Sequence, residues 1–343
     1  MIEEIRQQPE ALERTLAGAA RAVAAFHKAL AKKRPRLVVL VARGTSDNAA
    51  LFGRYLIEIT TGIPVSLAAP SISTLYRARI DYRDALVVAL SQSGESTDTN
   101  LVLERARSQG AVTLGITNER CSTLARLAGH VFLVRAGKER SVAATKTYTG
   151  QLLLLYLLAS ALGGAIRLAD LERLPEAVHA ALRLEPEIDV LSERYRFMRH
   201  AVVVGRGLNY ANAFEFALKL METCYVVAER FSSADFLHGP IALVEPSFPV
   251  FAFAPPGATW GSIGETLDKL RNLRAEIVAI TDSGNRQADA RATKVIRLPR
   301  RLKELLTPIP YVVPAQLFAA KLAAQKGLDP DRPRTLHKVT LTL

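Results

Sequence analysis

Short, continuous apolar runs rich in β-branched residues recur along the chain, each bounded by Gly, Ser or Asn. They are residues 37–41, 86–90, 111–117, 200–204, 249–253 and 275–281. Strands covered on both faces of a parallel sheet have this unbroken pattern. Between the runs lie segments of helical length and period, such as 97–109 and 266–274. Strand and helix in alternation predict an α/β protein with a doubly wound parallel sheet. The most apolar stretch, 152–166, is too short to span a bilayer and is interrupted by Ser160, Gly163 and Gly164, so it predicts a buried helix. Ala-rich residues 9–33 predict an N-terminal helical arm, and residues 168–199, rich in Leu, Glu and Arg, a helical connector.

The pattern repeats. Residues 37–44 match 200–207, with Gly44 and Gly207 offset by 163, and the run ending at Gly94 matches the run ending at Gly257 at the same offset. Residues 111–118 match 275–282 at 164, and Gln151-Leu152 matches Gln316-Leu317 at 165. Four ordered matches at a nearly constant offset indicate an internal duplication. The expected organisation is an arm (1–34), a first α/β domain (35–167), a connector (168–199) and a second α/β domain (200–343).

Composition narrows the function classes. The 343 residues are 23% charged and 49% hydrophobic, an ordinary globular balance that excludes disordered and disulfide-scaffold classes. Net charge is +12, which would suit nucleic acid, an anionic membrane face or small anions. The basic clusters at 32–36 and 297–303 carry no interleaved aromatics, so both read as solvated surface and no nucleic-acid partner is expected. Cys121 and Cys224 are isolated and not in a redox spacing, and the N-terminus has no apolar signal core. A cytoplasmic protein with no membrane partner is the expectation. The six histidines show no metal-ligand spacing, and no Walker, dinucleotide or nucleophile-elbow motif occurs, so neither metal nor cofactor is expected.

Ligands of open α/β sheets bind beyond the carboxyl ends of the strands, where helix N-termini offer unpaired N–H groups to anions. There the chain places Ser91-Gln92-Ser93-Gly94-Glu95-Ser96-Thr97. One hydroxyl would suffice for a helix cap, but four with a Gly favour a phosphate cradle. The matching loop of the second half, 254–258, has lost those hydroxyls, so one half alone is equipped for phosphate. A second hydroxyl-bearing turn is Gly44-Thr45-Ser46; a third, 143–149, reads equally well as a helix cap. Over 212–222, Phe214, Leu218 and Met221 form an apolar stripe with Glu215, Lys219 and Glu222 on an adjacent polar one. By spacing alone that polar stripe reads as a solvated ion-pair face. His238, flanked by Gly239 and Pro240, falls in a loop-like stretch.

Together, residues 43–46, 91–96, 142–146, 215–222, 237–240 and the tail 329–340 resemble the sugar isomerase (SIS) domain family, as in the isomerase half of glucosamine-6-phosphate synthase. The resemblance implies two tandem flavodoxin-like domains acting on fructose 6-phosphate and glucosamine 6-phosphate. It implies that Ser46, Ser91, Gln92, Ser93 and Ser96, with Gly44, Thr45, Val142, Ala143 and Thr145 of the same motifs, hold phosphate and sugar. Glu222 becomes the base moving a proton between C1 and C2, His238 the group that opens the ring, and Lys338 the residue acting on the open-chain carbonyl. Glu215 and Lys219 support Glu222. A homodimer is implied, because the family's equivalent of His238 comes across the subunit interface.

Departures from the synthase shape the expected activity. The chain reaches its first sheet strand by Leu37, leaving no room for the glutaminase domain. Ala144 stands where the synthase commonly has Ser, and residues 231–237 look more like stand-alone glucosamine-6-phosphate deaminases. The expected reaction converts glucosamine 6-phosphate and water to fructose 6-phosphate and ammonia. The alternatives are an aminotransferase-like isomerase using external nitrogen or another amino-sugar phosphate, and a non-catalytic sugar-phosphate sensor.

Overall fold

A computed structural model describes residues 1–336 and 338; residues 337 and 339–343, and the side chain of Lys32, lie outside the described residues. The tail motif's His337, Val339 and Thr340, and the end of the expected second domain, fall among these. The chain forms two compact units. The first holds residues 10–139 and 146–172 together with Lys338; the second holds residues 1–9, 140–145 and 173–336.

Helices α1 (Ile2–Arg6) and α2 (Gln8–Lys32) open the chain. The first unit then runs β1 (Leu37–Val41), α3 (Thr45–Thr61), β2 (Val65–Leu67), α4 (Pro70–Thr74), β3 (Ala85–Leu90), α5 (Thr97–Ser108), β4 (Val112–Thr117), α6 (Thr123–Leu127), β5 (His130–Leu133), α7 (Lys146–Ala161) and α8 (Leu168–Leu171). Its five strands are all parallel in the order β2-β1-β3-β4-β5. Every residue of β3, the central strand, is buried, which explains its lack of polar alternation. Val39, Val41, Val87 and Ala89 pack with Val102, Leu103 and Leu124 of the covering helices. The apolar stretch from residue 152 is indeed a buried helix, since nearly all of α7 is inaccessible. Among the described residues, no helix is long and apolar enough to cross a membrane.

The second unit continues with α9 (Leu174–Leu182), α10 (Glu185–Glu193), β6 (His200–Gly205), α11 (Tyr210–Cys224), β7 (Val227–Ser232), α12 (Ser233–Leu237), β8 (Pro249–Phe253), α13 (Trp260–Asn272), β9 (Glu276–Asp282), β10 (Lys294–Leu298) and α14 (Pro308–Gln325). Its parallel order, β10-β9-β8-β6-β7, is the first sheet's order in the numbering of the second repeat. The duplication read from the sequence is thus a duplication of topology. In each sheet the strand order reverses beside the first strand, between β1 and β3 and between β6 and β8, and such a switch point opens a crevice for ligands.

The basic run at 297–303 is largely the solvated surface expected of it, with Arg300, Arg301 and Lys303 exposed, and Arg297 is the exception. Arg297 donates to the carbonyls of Asp282 and Asn285 at 2.8 Å each and pairs with Asp289, so its charge is engaged in holding a loop.

Candidate active site

In the first unit, the chain leaves β3 into Ser91 and enters α5 after Ser96. Ser91 Oγ accepts the Gly94 N–H at 3.1 Å, and Ser93 Oγ accepts that of Glu95 at 3.3 Å. These bonds curl the loop over the start of α5. Gly94 makes the curl possible, because its φ is +69° and an added Cβ would stand 2.2 Å from Ser122 Oγ. Ser96 is the N-cap, with its hydroxyl 3.0 Å from Thr99 Oγ1, and Asn100 Nδ2 donates to the Gly94 carbonyl at 3.1 Å. The capping Ser96 side chain accepts no backbone N–H of α5, which leaves that end of the helix for an anion.

A cleft of about 420 Å³ opens beside this loop, lined among others by Gln92, Ser93, Cys121, Lys138, Glu139 and Lys338. Glu139 was not legible as a site residue, lying in a Gly-Lys-Glu-Arg run that reads as surface. It is 5% exposed, and its carboxylate accepts the Thr147 N–H at 3.2 Å and the Thr147 hydroxyl at 2.5 Å, at the start of α7. Lys338 Nζ stands 3.3 Å from Glu139 Oε2. Nearby, Lys146 is 3% exposed and donates to the Lys138 carbonyl at 2.7 Å.

The Gly44–Ser46 turn also belongs to this unit. Gly44 has φ +57° and caps α3, Thr45 begins the helix, and buried Ser46 accepts a hydrogen bond from Gln151 Nε2 at 2.9 Å. Gln151 Oε1 is buried with no hydrogen-bond partner. Ser46, Ser91, Gln92, Ser93, Ser96 and Lys338 are therefore all carried by one unit. Val142, Ala143 and Thr145 are counted with the other, where the Thr145 carbonyl accepts from Gln316 Nε2 at 3.4 Å.

In the second unit, α11 overturns the face assigned to it from spacing. Glu215 and Lys219 have no exposed side-chain surface and Glu222 keeps 22%, whereas Phe214, Leu218 and Met221 are half-buried. The polar stripe points inward. Lys219 Nζ lies 3.2 Å from Glu215 Oε1 and 2.7 Å from Glu222 Oε2. Burial alone would lower the Lys219 pKa, but the two carboxylates outweigh it and the net shift is upward, so the ammonium persists without solvent. Asn209 and Asn212 fix the start of α11 by donating to Thr307 Oγ1 at 2.7 Å and the Pro308 carbonyl at 2.9 Å. His238 is the exposed C-cap of α12, in the turn that carries the chain on to Gly239 and Pro240.

The counterpart of the serine loop shows what replaced its hydroxyls. Gly257, with φ +141°, turns the chain toward α13, and the N–H groups of Ala258 and Thr259 donate to Glu304 at 2.5 and 3.2 Å. The Thr259 hydroxyl donates to the same carboxylate. An acidic side chain of the protein itself thus sits where the first repeat leaves room for an anion. Among the described residues, no cluster of three or more His, Cys, Asp or Glu could hold a metal ion.

Comparison with known proteins agrees with this architecture. The isomerizing glutamine–fructose-6-phosphate aminotransferase of Pyrococcus horikoshii is 36% identical over 349 residues, covering 98% of this chain and 57% of that protein. The chain thus spans little more than half the length of that relative. The C-terminal domain of glucosamine-fructose-6-phosphate aminotransferase from Francisella tularensis superposes with a TM-score of 0.86 at 30% identity, covering 97% of this chain and 98% of that one. A candidate phosphosugar isomerase from Silicibacter pomeroyi DSS-3 gives 0.85 at 34% identity, covering 96% and 99%. The SIS domain family model matches twice, over residues 30–161 and 196–326, one match on each sheet. This chain belongs to the SIS domain family.

Proposed function

We propose that this protein is a phosphosugar aldose–ketose isomerase that deaminates an amino-sugar phosphate, converting glucosamine 6-phosphate and water to fructose 6-phosphate and ammonia. The observation that carries the reading is the α11 array: a buried cation between two carboxylates, of which Glu222 alone keeps accessible surface. Such an array serves no solvated ion-pair purpose, and it gives a base a fixed direction.

In this reading the Ser91–Ser96 loop and the N-terminus of α5 seat the phosphoryl group, and Ser46 meets a sugar hydroxyl. Binding energy from the phosphate holds an open-chain sugar that is scarce in solution. His238 shuttles the proton that opens the ring. Glu222 removes the proton from C2 and returns it to C1, leaving an imine at C2. Water adds to that carbon, the C–N bond breaks, and ammonia leaves with fructose 6-phosphate as the other product. Lys338 donates to the carbonyl oxygen as charge develops there. The exposed His238 suits a homodimer in which the imidazole is contributed across the interface.

The test is incubation with glucosamine 6-phosphate, following ammonia and fructose 6-phosphate together. Equal release of both supports deamination. No ammonia release from glucosamine 6-phosphate alone, with glucosamine 6-phosphate formed from fructose 6-phosphate only when an amino-group donor other than free ammonia is supplied, supports the aminotransferase-like reading, for which the 36% identity to the Pyrococcus relative speaks. Saturable binding with no product in either direction supports a sensor.

A further inference from the structure

Arg43 and Asp98 face each other across the switch point of the first sheet. Arg43 follows β1 and directly precedes the Gly44–Ser46 turn; Asp98 is the second residue of α5, just beyond the serine loop. The two strands behind them are neighbours in register, with Val41 opposite Ala89. Arg43 Nε donates to Asp98 Oδ2 at 3.1 Å, and Nη2 donates to the same oxygen. Asp98 is 1% exposed and Arg43 is 47% exposed. The other carboxylate oxygen, Oδ1, is buried with no hydrogen-bond partner.

A carboxylate in the first turn is ordinarily favourable to a helix, because it faces the positive end of the dipole. At this helix it competes for the same positive end with any incoming phosphate. Two like charges several ångströms apart in a partly buried site repel strongly enough to weaken anion binding about tenfold or more. Something must cancel Asp98, and a buried carboxylate with one oxygen unserved has little else to do so.

We propose that Arg43 is a positioning residue for the phosphate seat: by neutralising Asp98 it leaves the N-terminus of α5 able to accept a dianionic phosphoryl group. This rests on the reading of Ser91–Ser96 as that seat. Arg43 acts through Asp98, so a clamp that merely ties the two turns together is the competing role. The two roles predict opposite signs for one substitution. If the pair is a clamp, Asp98→Asn loosens it and weakens anion binding. If the pair is a charge balance, Asp98→Asn removes the repulsion, keeps an acceptor for Arg43, and tightens binding.

The experiment is calorimetric titration of the full chain with inorganic phosphate at fixed ionic strength. Arg43→Ala is expected to weaken binding by about tenfold or more, Asp98→Asn to tighten it, and Arg43→Ala/Asp98→Asn to return it to within about threefold of the unmodified protein. Arg43→Lys, which keeps the charge in a conservative frame, is expected to stay within about threefold as well. Weaker binding by Asp98→Asn, or an Arg43→Ala variant that binds as well as the unmodified protein, overturns the proposal. No phosphate binding by the unmodified protein removes the seat itself and the proposal with it. Phosphate binding that is indifferent to Arg43 removes the proposal and leaves the seat standing.

Discussion

Lys219 holds Glu222 at 2.7 Å from one side of α11 while its own charge is balanced at 3.2 Å by Glu215, one turn earlier. The three residues form a chain in which the inner pair is closed to solvent and the outer carboxylate is not. Breaking such a chain at its middle removes the cation that faces both carboxylates. Lys219→Met should therefore cost about 3–5 kcal/mol of folding stability, read from urea unfolding. Adding Glu215→Gln to the same chain should recover a substantial part, because the buried carboxylate no longer carries a charge that Lys219 had balanced. A double variant no more stable than Lys219→Met would contradict this account.

Glu222→Gln keeps the shape and the hydrogen bond to Lys219 but removes the carboxylate proposed as the base. Turnover should fall by about 10²–10⁴, while phosphosugar binding measured by calorimetry stays within a few-fold of normal. A fall in affinity with unchanged turnover would assign Glu222 to binding.

Gly94→Ala tests the serine loop. The residue adopts φ +69°, and the new methyl would collide with the Ser122 side chain. The left-handed conformation alone costs an L-residue about 1–2 kcal/mol. The expected outcome is a folded protein with KM for the phosphosugar raised at least about tenfold, checked by steady-state kinetics beside circular dichroism.

The two thiols should separate cleanly. Cys121 is exposed beside the cleft, whereas Cys224 is buried and its thiol is pushed up to about 11 by that burial. A chromogenic disulfide reagent at neutral pH should react with one equivalent in the native protein and with the second only after unfolding. Inorganic phosphate in the cleft should slow the first reaction.

Alkaline pH should weaken the fold in a particular order. Cys224 keeps its proton when folded at pH values where the unfolded thiol, near 9.0, has lost it, so its share of stability falls between 9.0 and about 11. Lys219 has a raised folded pKa, so its contribution is complete below about 10.5 and disappears only above that. Thermal unfolding scans from pH 8 to 11 should show Tm declining from about 9, and Cys224→Ala should delay the onset.

The strands were legible because burial on both faces leaves no room for polar alternation, and β3 is the plainest case. The serine loop was legible because its hydroxyls and glycine have few other uses at a strand end. Residues 215, 219 and 222 were misplaced for a physical reason. Periodicity says which side chains share a face, but not which face a protein chooses to bury, and here mutual neutralisation makes the charged face the inner one. Glu139 was invisible because its neighbours 137, 138 and 140 are exposed and its burial depends on reaching the start of α7. The pairing of Arg43 could not be read from the sequence, since its partner Asp98 lies 55 positions away.

The Glu304 carboxylate has a consequence for stoichiometry. The amides of Ala258 and Thr259 are already satisfied by a covalently tethered guest, and no solute at ordinary concentration competes well with a tenant that never leaves. A doubled fold with one helix N-terminus occupied by its own side chain should therefore take up one anion per chain rather than two.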